Sequence, residues 1–490
     1  MPVEAGTQKP LLHPASGVTP LPSRGVTPLP SRGVTPHPSR GVTPHPSRGV
    51  MPHPSLHILD ERLHADPSRV VLRPFHLGWQ ATTADNSRAA RLVDDVNAMS
   101  EAAVEAEFDR VLHDFDDRHW QIEAMFDQRF AEVELTLGPV DSLNSSGGSL
   151  TRKRLIGAYF CHEYTYAAAA LMNPSIVPHP DQTGMADGSV RFVMSLRAVG
   201  EGHISSIVFR EGIAHTDGSF ALWPQSSFAT SVLPDADTLA DPHGVVTIHR
   251  HPDSTLSNSV IFPITEQQRN GLEDLRLVRF DHGANERGEA DFEWIGTYTA
   301  YSGSSIRSEL LRTCDFRRFT LEPVQGRAGR NKGMALFPQK VGGQYAMVGR
   351  QDGKNLFLLR SDRLDCWDDD GVLLMEPKFP WEFIQIGNCG SPILTEHGWL
   401  LFTHGVGAMR KYALGCALLD RDDPSKVIAR STEPVLTAVD ADRFGYVPNV
   451  IYTCGVLPIA DRVLIPYGIS DSAVGFATTT IADLMAMMDA

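Results

Sequence analysis

The chain has 490 residues, of which 42% are hydrophobic and 21% charged, a composition typical of a folded globular protein. Its net charge of −15 argues against a nucleic-acid surface, which needs a basic footprint to bind phosphate backbones. A local basic cluster within an acidic body can still concentrate positive potential, so a small anionic substrate is not excluded.

The N-terminal stretch "MPVEAGTQKP" lacks a basic region followed by an apolar core, and it therefore does not look like a secretory signal. No apolar run is long enough to span a bilayer. The six cysteines are scattered without a Cys-x-x-Cys pair, which favours buried thiols over a disulfide framework. These features predict a protein of the reduced cytoplasm that contacts no membrane.

Residues 17–56 repeat one octamer almost without change: GVTPLPSR, GVTPLPSR, GVTPHPSR, GVTPHPSR, GVMPHPSL. Two prolines in each repeat and almost no large apolar side chains cannot build a core, so we predict that residues 1–56 form a disordered tail. His37 and His45 recur within it, but single histidines eight residues apart in a flexible segment make a poor metal site.

Residues 57–149 are predicted to form an N-terminal extension that contains one or two amphipathic helices within 86–135. We expect the apolar stripe of these helices to pack on the chain's own domain or on a second copy in a homo-oligomer. The stretch "LGPVDSLNSSGG" (137–148) then reads as a linker. The stripe recurs at helical spacing and comprises Val104, Phe108, Val111, Phe115, Ile122, Phe126, Phe130 and Val133.

From residue 150 onward the pattern favours β-structure, with short strand-like runs such as "RFVMSLRAV", "FEWIGTYTAY" and "GWLLFTHGV" separated by turns. "KVGGQYAMV" predicts a hairpin with Gly-Gly at its tip, whereas "YTYAAAALMN" near the junction could be helical. Many short strands imply a sandwich, a barrel or a propeller. Roughly 340 residues exceed one simple sandwich, so we predict an all-β, five-bladed β-propeller over residues 150–490.

The stretch "GLEDLRLVRF" (271–280) places two carboxylates, Glu273 and Asp274, side by side. Neighbouring side chains of a strand point to opposite faces, so only one of the two is expected to face a given pocket. The other is then expected to bind backbone donors or an arginine. A turn with a surface salt bridge is the alternative for this stretch taken alone.

The inner strands of a propeller gather around one central pocket, so polar residues distant in sequence can share a site there. Each candidate alone also has a structural explanation, such as a salt bridge or a turn. Together, carboxylates with Lys, Arg and His fit a pocket for a neutral polyol and an anion. The candidates are Arg197, Asp274, Tyr298, Tyr301, Lys332, Arg350, His404 and Asp471.

In order along residues 170–475, the sequence resembles glycoside hydrolase family 130, the β-mannoside phosphorylases and related β-mannosidases. "GLEDLR" resembles the family's Gly-x-Glu-Asp-Pro-Arg signature, and "TYTAYSG" follows it at the expected place. "NKGMALFPQKVGGQYAMVGR", "GWLLFTHGV", "YALGCALLDRDDPSKVIARSTEPVL", "GYVPNVIYTCG" and "IPYGISD" complete the series. The resemblance implies a five-bladed propeller and inverting chemistry on β-mannosides.

The resemblance also implies roles for individual residues. It makes Asp274 the proton donor, acting through the mannose 3-hydroxyl, and leaves Glu273 to hold the sugar or the local backbone. Burial beside Glu273 is expected to raise the pKa of Asp274, so that the carboxyl stays protonated near neutral pH. The mannosyl unit is expected to contact Asn173, Arg197, Tyr301 and Asp471.

The reactant on the opposite face of the sugar decides between phosphorolysis and hydrolysis. Water requires a second carboxylate as a base, whereas phosphate carries its own nucleophilic oxygen and needs positive charge around it. The expected basic residues are present, namely Arg276, Lys332, Arg350 and His404. The sequence thus predicts a transferase-type phosphorylase that releases α-mannose 1-phosphate from manno-oligosaccharides, with inorganic phosphate as co-substrate and no metal or other cofactor.

Two other functions stay open: an inverting β-mannoside hydrolase, and a non-catalytic carbohydrate-binding propeller. Binding alone favours aromatic platforms over Lys and Arg, which argues against the second. Two residues depart from the family pattern. Leu275 replaces the usual proline, and Thr403 stands where a tyrosine commonly precedes His-Gly, which is expected to alter phosphate or sugar contacts.

Overall fold

The computed structural model of the chain describes residues 55–75, 87–137, 148–241, 244–285 and 287–489. The predicted octamer tail, except for its last two residues, and nearly all of the predicted linker lie outside these ranges. The tail prediction fails at Leu56, which is buried in a core cluster of the strand-rich part. Among the described helices, none combines the length and the apolar character that crossing a membrane requires. Cys389, Cys416 and Cys454 are buried as free thiols.

The N-terminal part begins with two strands, β1 (His57–His64) and β2 (Val70–Pro74). The described residues that follow contain helices α1 (Ser87–Asn97), α2 (Glu101–Phe115), α3 (Ile122–Leu137) and α4 (Leu150–Tyr159). Ser100 starts α2 as an N-cap whose hydroxyl accepts from the Ala103 amide, and Ser149 caps α4 in the same way. The predicted amphipathic region is therefore confirmed as helical.

The apolar stripe of α2 and α3 is buried within this chain, where it packs against α4. Val104, Phe126 and Leu155 belong to one core cluster that the helices share. Arg152 of α4 joins the cluster to the turn between α1 and α2, since its guanidinium donates to the Met99 carbonyl at 2.8 Å and to Glu101 at 2.6 Å. Packing on the chain's own domain thus accounts for the stripe, and the homo-oligomer stays a prediction.

The remaining chain is mostly β-strand. Its first part contains β3 (Cys161–Thr165), β4 (Ala170–Pro178), β5 (Ser189–Val199), β6 (Ser205–His215), β7 (Phe220–Leu222), β8 (Thr230–Ser231), β9 (Leu233–Pro234), β10 (Val246–His249), β11 (Ser259–Ile261), β12 (Gly271–Ala284), β13 (Ala290–Tyr301), β14 (Ile306–Thr313) and β15 (Arg318–Pro323).

The second part contains β16 (Ala335–Leu336), β17 (Tyr345–Gly349), β18 (Leu356–Ser361), β19 (Val372–Met375), β20 (Gln385–Asn388), β21 (Ile393–Thr395), β22 (Gly398–Val406), β23 (Tyr412–Leu419), β24 (Val427–Ser431), β25 (Leu436–Thr437), β26 (Ile451–Tyr452), β27 (Leu457–Ile459), β28 (Arg462–Ile469), β29 (Ala473–Thr480), helix α5 (Ile481–Ala486) and β30 (Met488–Asp489).

Within the described ranges these strands pair mainly in five antiparallel groups. The first contains β4, β5, β6 and β7, and the second β12, β13, β14, β15 and β10. The third runs from β16 to β19, and the fourth contains β20, β22, β23, β24 and β30. The fifth contains β26, β28 and β29, and β1 from the far end of the chain completes it by pairing with β29. The first two groups are joined through one parallel pair, Gly271 with Ser205.

Hydrogen bonds also connect each group of strands to the next one. A backbone amide next to the fifth group donates to a carbonyl of the first group, so the connections include all five groups. They comprise Leu277 N to Ser175 Oγ at 3.0 Å, Thr297 Oγ1 to the Met334 carbonyl, Asn388 Nδ2 to the Val348 carbonyl at 3.0 Å, Tyr412 N to the Asn449 carbonyl at 3.0 Å, and Cys454 N to the Pro174 carbonyl at 2.8 Å.

The suggestion of a helix in "YTYAAAALMN" (164–173) is wrong. The stretch contains the end of β3, a turn over residues 166–169, and the start of β4. Ala170 and Leu171 are buried in β4, and Ala169 N donates to the Val199 carbonyl at 2.9 Å. The helix propensity of alanine is a weak preference, and here sheet pairing overrides it.

The predicted Gly-Gly hairpin is confirmed. Val341 and Gln344 exchange both backbone hydrogen bonds around Gly342 and Gly343, whose φ angles are 60° and 85°. Two consecutive positive φ angles define the turn type that matches the twist of paired strands, and glycine adopts them without steric cost.

Replacing Gly157 with alanine should destabilise the protein, although alanine normally stabilises a helix interior relative to glycine by about 1 kcal/mol. A Cβ atom at residue 157 would lie 2.1 Å from the Phe126 carbonyl oxygen, so α4 would have to move away from α3. We expect a loss of about 1–3 kcal/mol in the free energy of unfolding, measured by denaturant titration. Thr151→Ala on the same helix is the control and should change it little. A stability gain in Gly157→Ala would contradict the close approach of the two helices.

Candidate active site

A β-bulge in β12 determines how the adjacent carboxylates are presented. Glu273 pairs with Thr299 and Arg276 with Thr297, so Asp274 and Leu275 together lie opposite Tyr298 alone, and β12 has one extra residue here. Asp274 has a φ of 58°, in the left-handed region that non-glycine residues rarely occupy. The bulge breaks the alternation of side chains, and both carboxylates therefore reach the same arginine. Of the two carboxylates only Asp274 also lines the cavity described below, and Glu273 binds an arginine, as the sequence analysis expected.

Arg197 on β5 is that arginine. Its Nη2 lies 2.7 Å from Glu273 Oε1, and its Nη1 lies 3.3 Å from Asp274 Oδ1. Ser205 fixes the remaining edge of the guanidinium by accepting from Nε at 2.9 Å. Residues from the first and second groups of strands thus share one charged cluster.

Asn173 and Asp471 complete the acidic side of the site. Asn173 Nδ2 donates to Asp274 Oδ1 at 2.6 Å, and Asp471 is close enough to Asp274 and Arg197 to interact electrostatically with both. Asn173 and Asp471 have φ angles of 51° and 50°, so three residues of this cluster hold left-handed backbone conformations. Such strain is characteristic of functional sites, where the surrounding structure holds residues in costly conformations.

The charges of these acids differ from the sequence expectation. Burial would raise the pKa of Asp274, but Arg197, Arg276 and the Asn173 hydrogen bond outweigh it and hold the pKa below its usual value. Burial instead raises the pKa of Glu273, and it raises that of Asp471 to about 6 with help from the Asp274 charge. Asp274 is thus ionised, and the expected rise of its pKa is wrong because two arginines face this carboxylate.

On its other side Asp274 lines a small cavity of about 30 Å³ that is rich in positive charge. The volume corresponds to roughly two or three water molecules, which suits a small inorganic ion better than a sugar ring. Among the described residues, no group of His, Cys, Asp or Glu is arranged to hold a metal ion. The cavity is lined by Asp274, Arg276, Lys332, Gly333, Arg350, Gly387, Asn388, His404 and Tyr452.

Arg276 lies between the two sides of the site. Its Nη1 donates to the Asp274 carbonyl at 3.0 Å, and its Nη2 donates to the Tyr452 hydroxyl at 2.5 Å. Burial opposes the charge, yet Tyr452, Cys454 and Asp274 raise the pKa of Arg276, so the guanidinium stays protonated. Its Nε is buried and has no partner within the described ranges, which leaves one donor available to an incoming anion.

His404 lines the cavity but does not add to its positive charge. Burial lowers its pKa to about 3, and Arg350 and Arg276 act in the same direction. Its Nδ1 lies 3.1 Å from the Asn388 carbonyl oxygen, and its ring lies against Tyr452 with the centroids 4.7 Å apart. The sequence analysis counted His404 among the positive charges, and that assignment is wrong because the imidazole is buried beside two cations.

Tyr301 and Thr403 do not line the cationic cavity. The Tyr301 hydroxyl donates to the Gly303 carbonyl at 3.0 Å, and Tyr301 is not among the residues that line the cavity. Thr403 is buried beside Gly415, next to His404 in β22 and therefore on the opposite face of the strand. The threonine in place of a tyrosine consequently does not alter the lining of the cavity.

Comparison with known proteins agrees with this geometry. A family profile described as beta-1,4-mannooligosaccharide phosphorylase, for glycoside hydrolase family 130, matches residues 254–490. The 1,2-beta-oligomannan phosphorylase of Thermoanaerobacter sp. (strain X514) is 32% identical over 237 residues, which cover 47% of this chain and 75% of that protein. The chain belongs to glycoside hydrolase family 130.

Other family 130 proteins give similar matches. The beta-1,4-mannooligosaccharide phosphorylase of Ruminococcus albus is 34% identical over 234 residues, which cover 45% of this chain and 69% of that protein. A solved structure of the beta-1,2-mannobiose phosphorylase of Listeria innocua, in complex with beta-1,2-mannobiose, is 20% identical with a TM-score of 0.43. That match covers 65% of this chain and 92% of the solved chain.

The site extends beyond the part of the chain that the family 130 profile matches. Asn173 and Arg197 precede residue 254, yet both bind Asp274 directly. Sequence reasoning missed Tyr452 and Asn388, although Tyr452 belongs to the quoted stretch "GYVPNVIYTCG". A polar aromatic residue between β-branched neighbours resembles an ordinary strand residue, so only its contact with Arg276 distinguishes it.

Replacing Asp471 with asparagine should stabilise the protein in a pH-dependent way. Because the folded pKa of about 6 exceeds that of an exposed aspartate, the folded state binds this proton more tightly, and wild-type stability falls as pH rises from about 4 to about 6. The variant should gain about 1–3 kcal/mol in the free energy of unfolding near pH 8 and nothing near pH 4. Asp253→Asn, at an exposed residue, is the matched control. A gain of equal size at both pH values would show that Asp471 carries no such penalty.

Proposed function

We propose that the chain is an inverting phosphorylase that cleaves β-mannosides with inorganic phosphate and releases α-mannose 1-phosphate. The observation that carries the proposal is the position of Asp274, which has a polar cluster of sugar-binding type on one side and the cationic cavity on the other. The relatives named as phosphorylases of β-mannosides and oligomannans support the same activity.

We also propose that the five antiparallel groups are the blades of a five-bladed β-propeller. Two observations support this arrangement. Hydrogen bonds run from each group to the next and return to the first, and a cavity of about 240 Å³ is lined by one segment from every group. Those segments are residues 176–178, 277–279, 338, 391–394 and 455–458.

The proposed division into an extension (57–149) and a catalytic propeller (150–490) needs one qualification from the hydrogen bonds. Strand β1 (His57–His64) pairs with β29, and it therefore belongs with the strand-rich part. Helix α4 (Leu150–Tyr159) packs in the helical cluster. The cytoplasm remains the compartment that we propose, on the scattered cysteines of the sequence.

In this proposal Asn173, Arg197, Glu273 and Asp471 hold the mannosyl unit, and Asp274 supplies the proton through the mannose 3-hydroxyl. The C1–oxygen bond to the leaving sugar breaks, a phosphate oxygen bonds to C1 from the opposite face, and the proton ends on the leaving oxygen. Tyr301 is the weakest member of the proposed set, since its hydroxyl is bonded to the Gly303 carbonyl.

The ionised state of Asp274 assigns phosphate a second role in this proposal. Arg276 and Lys332 line the cavity, and both lower the pKa of Asp274. A phosphate dianion bound between them would counter these charges and add negative charge beside the carboxylate, which raises its pKa. The acid would therefore take up its proton once phosphate has bound, so that protonation and the arrival of the nucleophile are coupled.

Hydrolysis is the less favoured alternative. An inverting hydrolase needs a second carboxylate across the sugar ring to activate water. The carboxylates nearest to Asp274, Glu273 and Asp471, cluster with it around Arg197, whereas the cavity beyond contains Arg276, Lys332 and Arg350. That charge distribution suits an anion as the second reactant.

The reaction can be tested with β-linked manno-oligosaccharides incubated with and without phosphate. We expect α-mannose 1-phosphate only when phosphate is present, identified by NMR of the products. Asp274→Asn should lower turnover by about 10² to 10⁴ because the general acid is lost, while Asp291→Asn, an exposed residue on β13, should be unaffected. Release of free mannose alone under saturating phosphate would overturn the phosphorylase assignment.

Replacing Lys332 with alanine should weaken phosphate more than sugar. The substitution removes a charge-assisted contact, so the KM for phosphate should rise about 10- to 150-fold, while the KM for the oligosaccharide should change far less. Lys354→Ala is the matched control, since Lys354 is exposed and does not line the cavity. Equal increases in both KM values would place Lys332 outside the phosphate site.

A further inference from the structure

The hydrogen bond made by His404 determines which of its ring nitrogens carries the proton. Nδ1 lies 3.1 Å from the backbone carbonyl oxygen of Asn388. A carbonyl oxygen can only accept, whereas the Cys389 thiol, whose sulfur lies 3.6 Å from Nδ1, can donate or accept, so the shorter contact with the carbonyl assigns the hydrogen to Nδ1. Asn388 is itself fixed, because its side-chain nitrogen donates to the Val348 carbonyl at 3.0 Å and to the Gly333 carbonyl at 2.5 Å.

The other ring nitrogen, Nε2, is consequently an acceptor. The imidazole is neutral, because burial and the cations Arg350 and Arg276 all oppose a second proton. Within the described ranges Nε2 has no hydrogen-bond partner, and it lies over Gly387, a residue that lines the cavity. A Cβ atom at residue 387 would lie 2.3 Å from Cε1 and 2.6 Å from Nε2, so the imidazole can occupy this position only because residue 387 is a glycine.

The remaining polar groups of the cavity are mostly donors. Lys332 and Arg350 present N–H groups, and Arg276 has its buried, unpartnered Nε. Three further lining side chains carry acceptor oxygens. Asp274 Oδ1 receives hydrogen bonds from Asn173 and Arg197, the Tyr452 hydroxyl from Arg276, and Asn388 Oδ1 from Gly390 N. Within the described ranges Nε2 of His404 is therefore the uncharged side-chain acceptor of the lining that receives no hydrogen bond.

We infer that Nε2 of His404 accepts a hydrogen bond from the P–OH group of monohydrogen phosphate, and that this contact selects phosphate over tetrahedral anions that carry no proton. Sulfate at neutral pH has only acceptor oxygens, so one of them would face the lone pair of Nε2 without a hydrogen between them. This inference rests on the proposed function, since it assigns the cavity to phosphate, and it specifies how the anion is recognised.

The hydrogen bond from the P–OH group to Nε2 is consistent with the proposed reaction, in which every bond and proton is accounted for. An unprotonated oxygen of monohydrogen phosphate attacks C1, while the P–OH group stays bound to Nε2 as a donor. The products are the mannose 1-phosphate monoanion, which still carries its P–OH proton, the freed sugar, and ionised Asp274. His404 neither gains nor loses a proton, so it acts as a specificity-determining residue and not as an acid or base.

The wild-type protein provides the first test, by calorimetric titration near neutral pH with phosphate, sulfate and monofluorophosphate. Monofluorophosphate is a tetrahedral dianion in which fluorine replaces the hydroxyl group, so it separates the P–OH contact from shape and charge. We expect sulfate and monofluorophosphate to bind about 10- to 100-fold more weakly than phosphate. Equal affinities for the three anions, or no binding of phosphate, would overturn the inference.

Variants provide the second test. His404→Gln has an amide that can donate or accept, so the ratio of sulfate to phosphate dissociation constants should fall towards one. Lys332→Gln is the matched control, because it removes a positive charge that attracts both anions, so it should weaken the binding of both and leave that ratio unchanged. A ratio that stays at its wild-type value in folded His404→Gln, as judged by circular dichroism, would show that His404 does not set the selectivity.

The result is independent of whether the chain is a phosphorylase, because selectivity is measured by binding without turnover. A protein that prefers phosphate but releases only free mannose would uphold the anion contact and remove the proposed reaction. A phosphate-dependent enzyme that binds sulfate as tightly as phosphate would uphold the proposed reaction and rule out the anion contact. A ¹⁵N spectrum of His404 with both nitrogens protonated near neutral pH would also overturn the inference.

Discussion

Arg197 holding two consecutive carboxylates is the interaction on which the rest of the site depends. Glu273 and Asp274 can both reach one guanidinium only because the bulge in β12 breaks the alternation of side chains. Burying charges in this way is stable only when every member keeps its partner, since removing one leaves an uncompensated buried charge. The arginine comes from β5 and the acids from β12, so the cluster forms only when the first two groups of strands are docked as observed.

The site separates its charges, and Asp274 lies at the boundary. On one side are acids and an amide, which suit the hydroxyl groups of a sugar; on the other are three cations around a small cavity. The pKa of a carboxylate at such a boundary depends on the charges on both sides of it. The nearby cations keep Asp274 ionised, and the proposed chemistry requires that an anion counter Arg276 and Lys332.

Patterns that repeat along the chain allowed much of the fold to be predicted, namely the helical stripe, the succession of short strands and the Gly-Gly hairpin. The identities of most site residues followed from the family resemblance. What the sequence could not predict depends on three-dimensional neighbours. The bulge, the charge of Asp274 and the neutral state of His404 each follow from groups that lie far away in the sequence, such as Arg197 and Arg350. The alanine run failed for the same reason, because sheet pairing overrode a weak local preference.

The pairing of β1 with β29 has a consequence for the synthesis of the protein. His57–His64 leaves the ribosome early, but its partner Ala473–Thr480 follows about 400 residues later. At about 5–20 residues per second, the nascent strand waits on the order of 20 to 80 s with its backbone donors and acceptors unpaired. An unpaired strand is a template for association with other chains. The fifth group of strands can therefore be completed only after Ala473–Thr480 has been made, so its closure, which joins the two ends of the described fold, is a late step of folding.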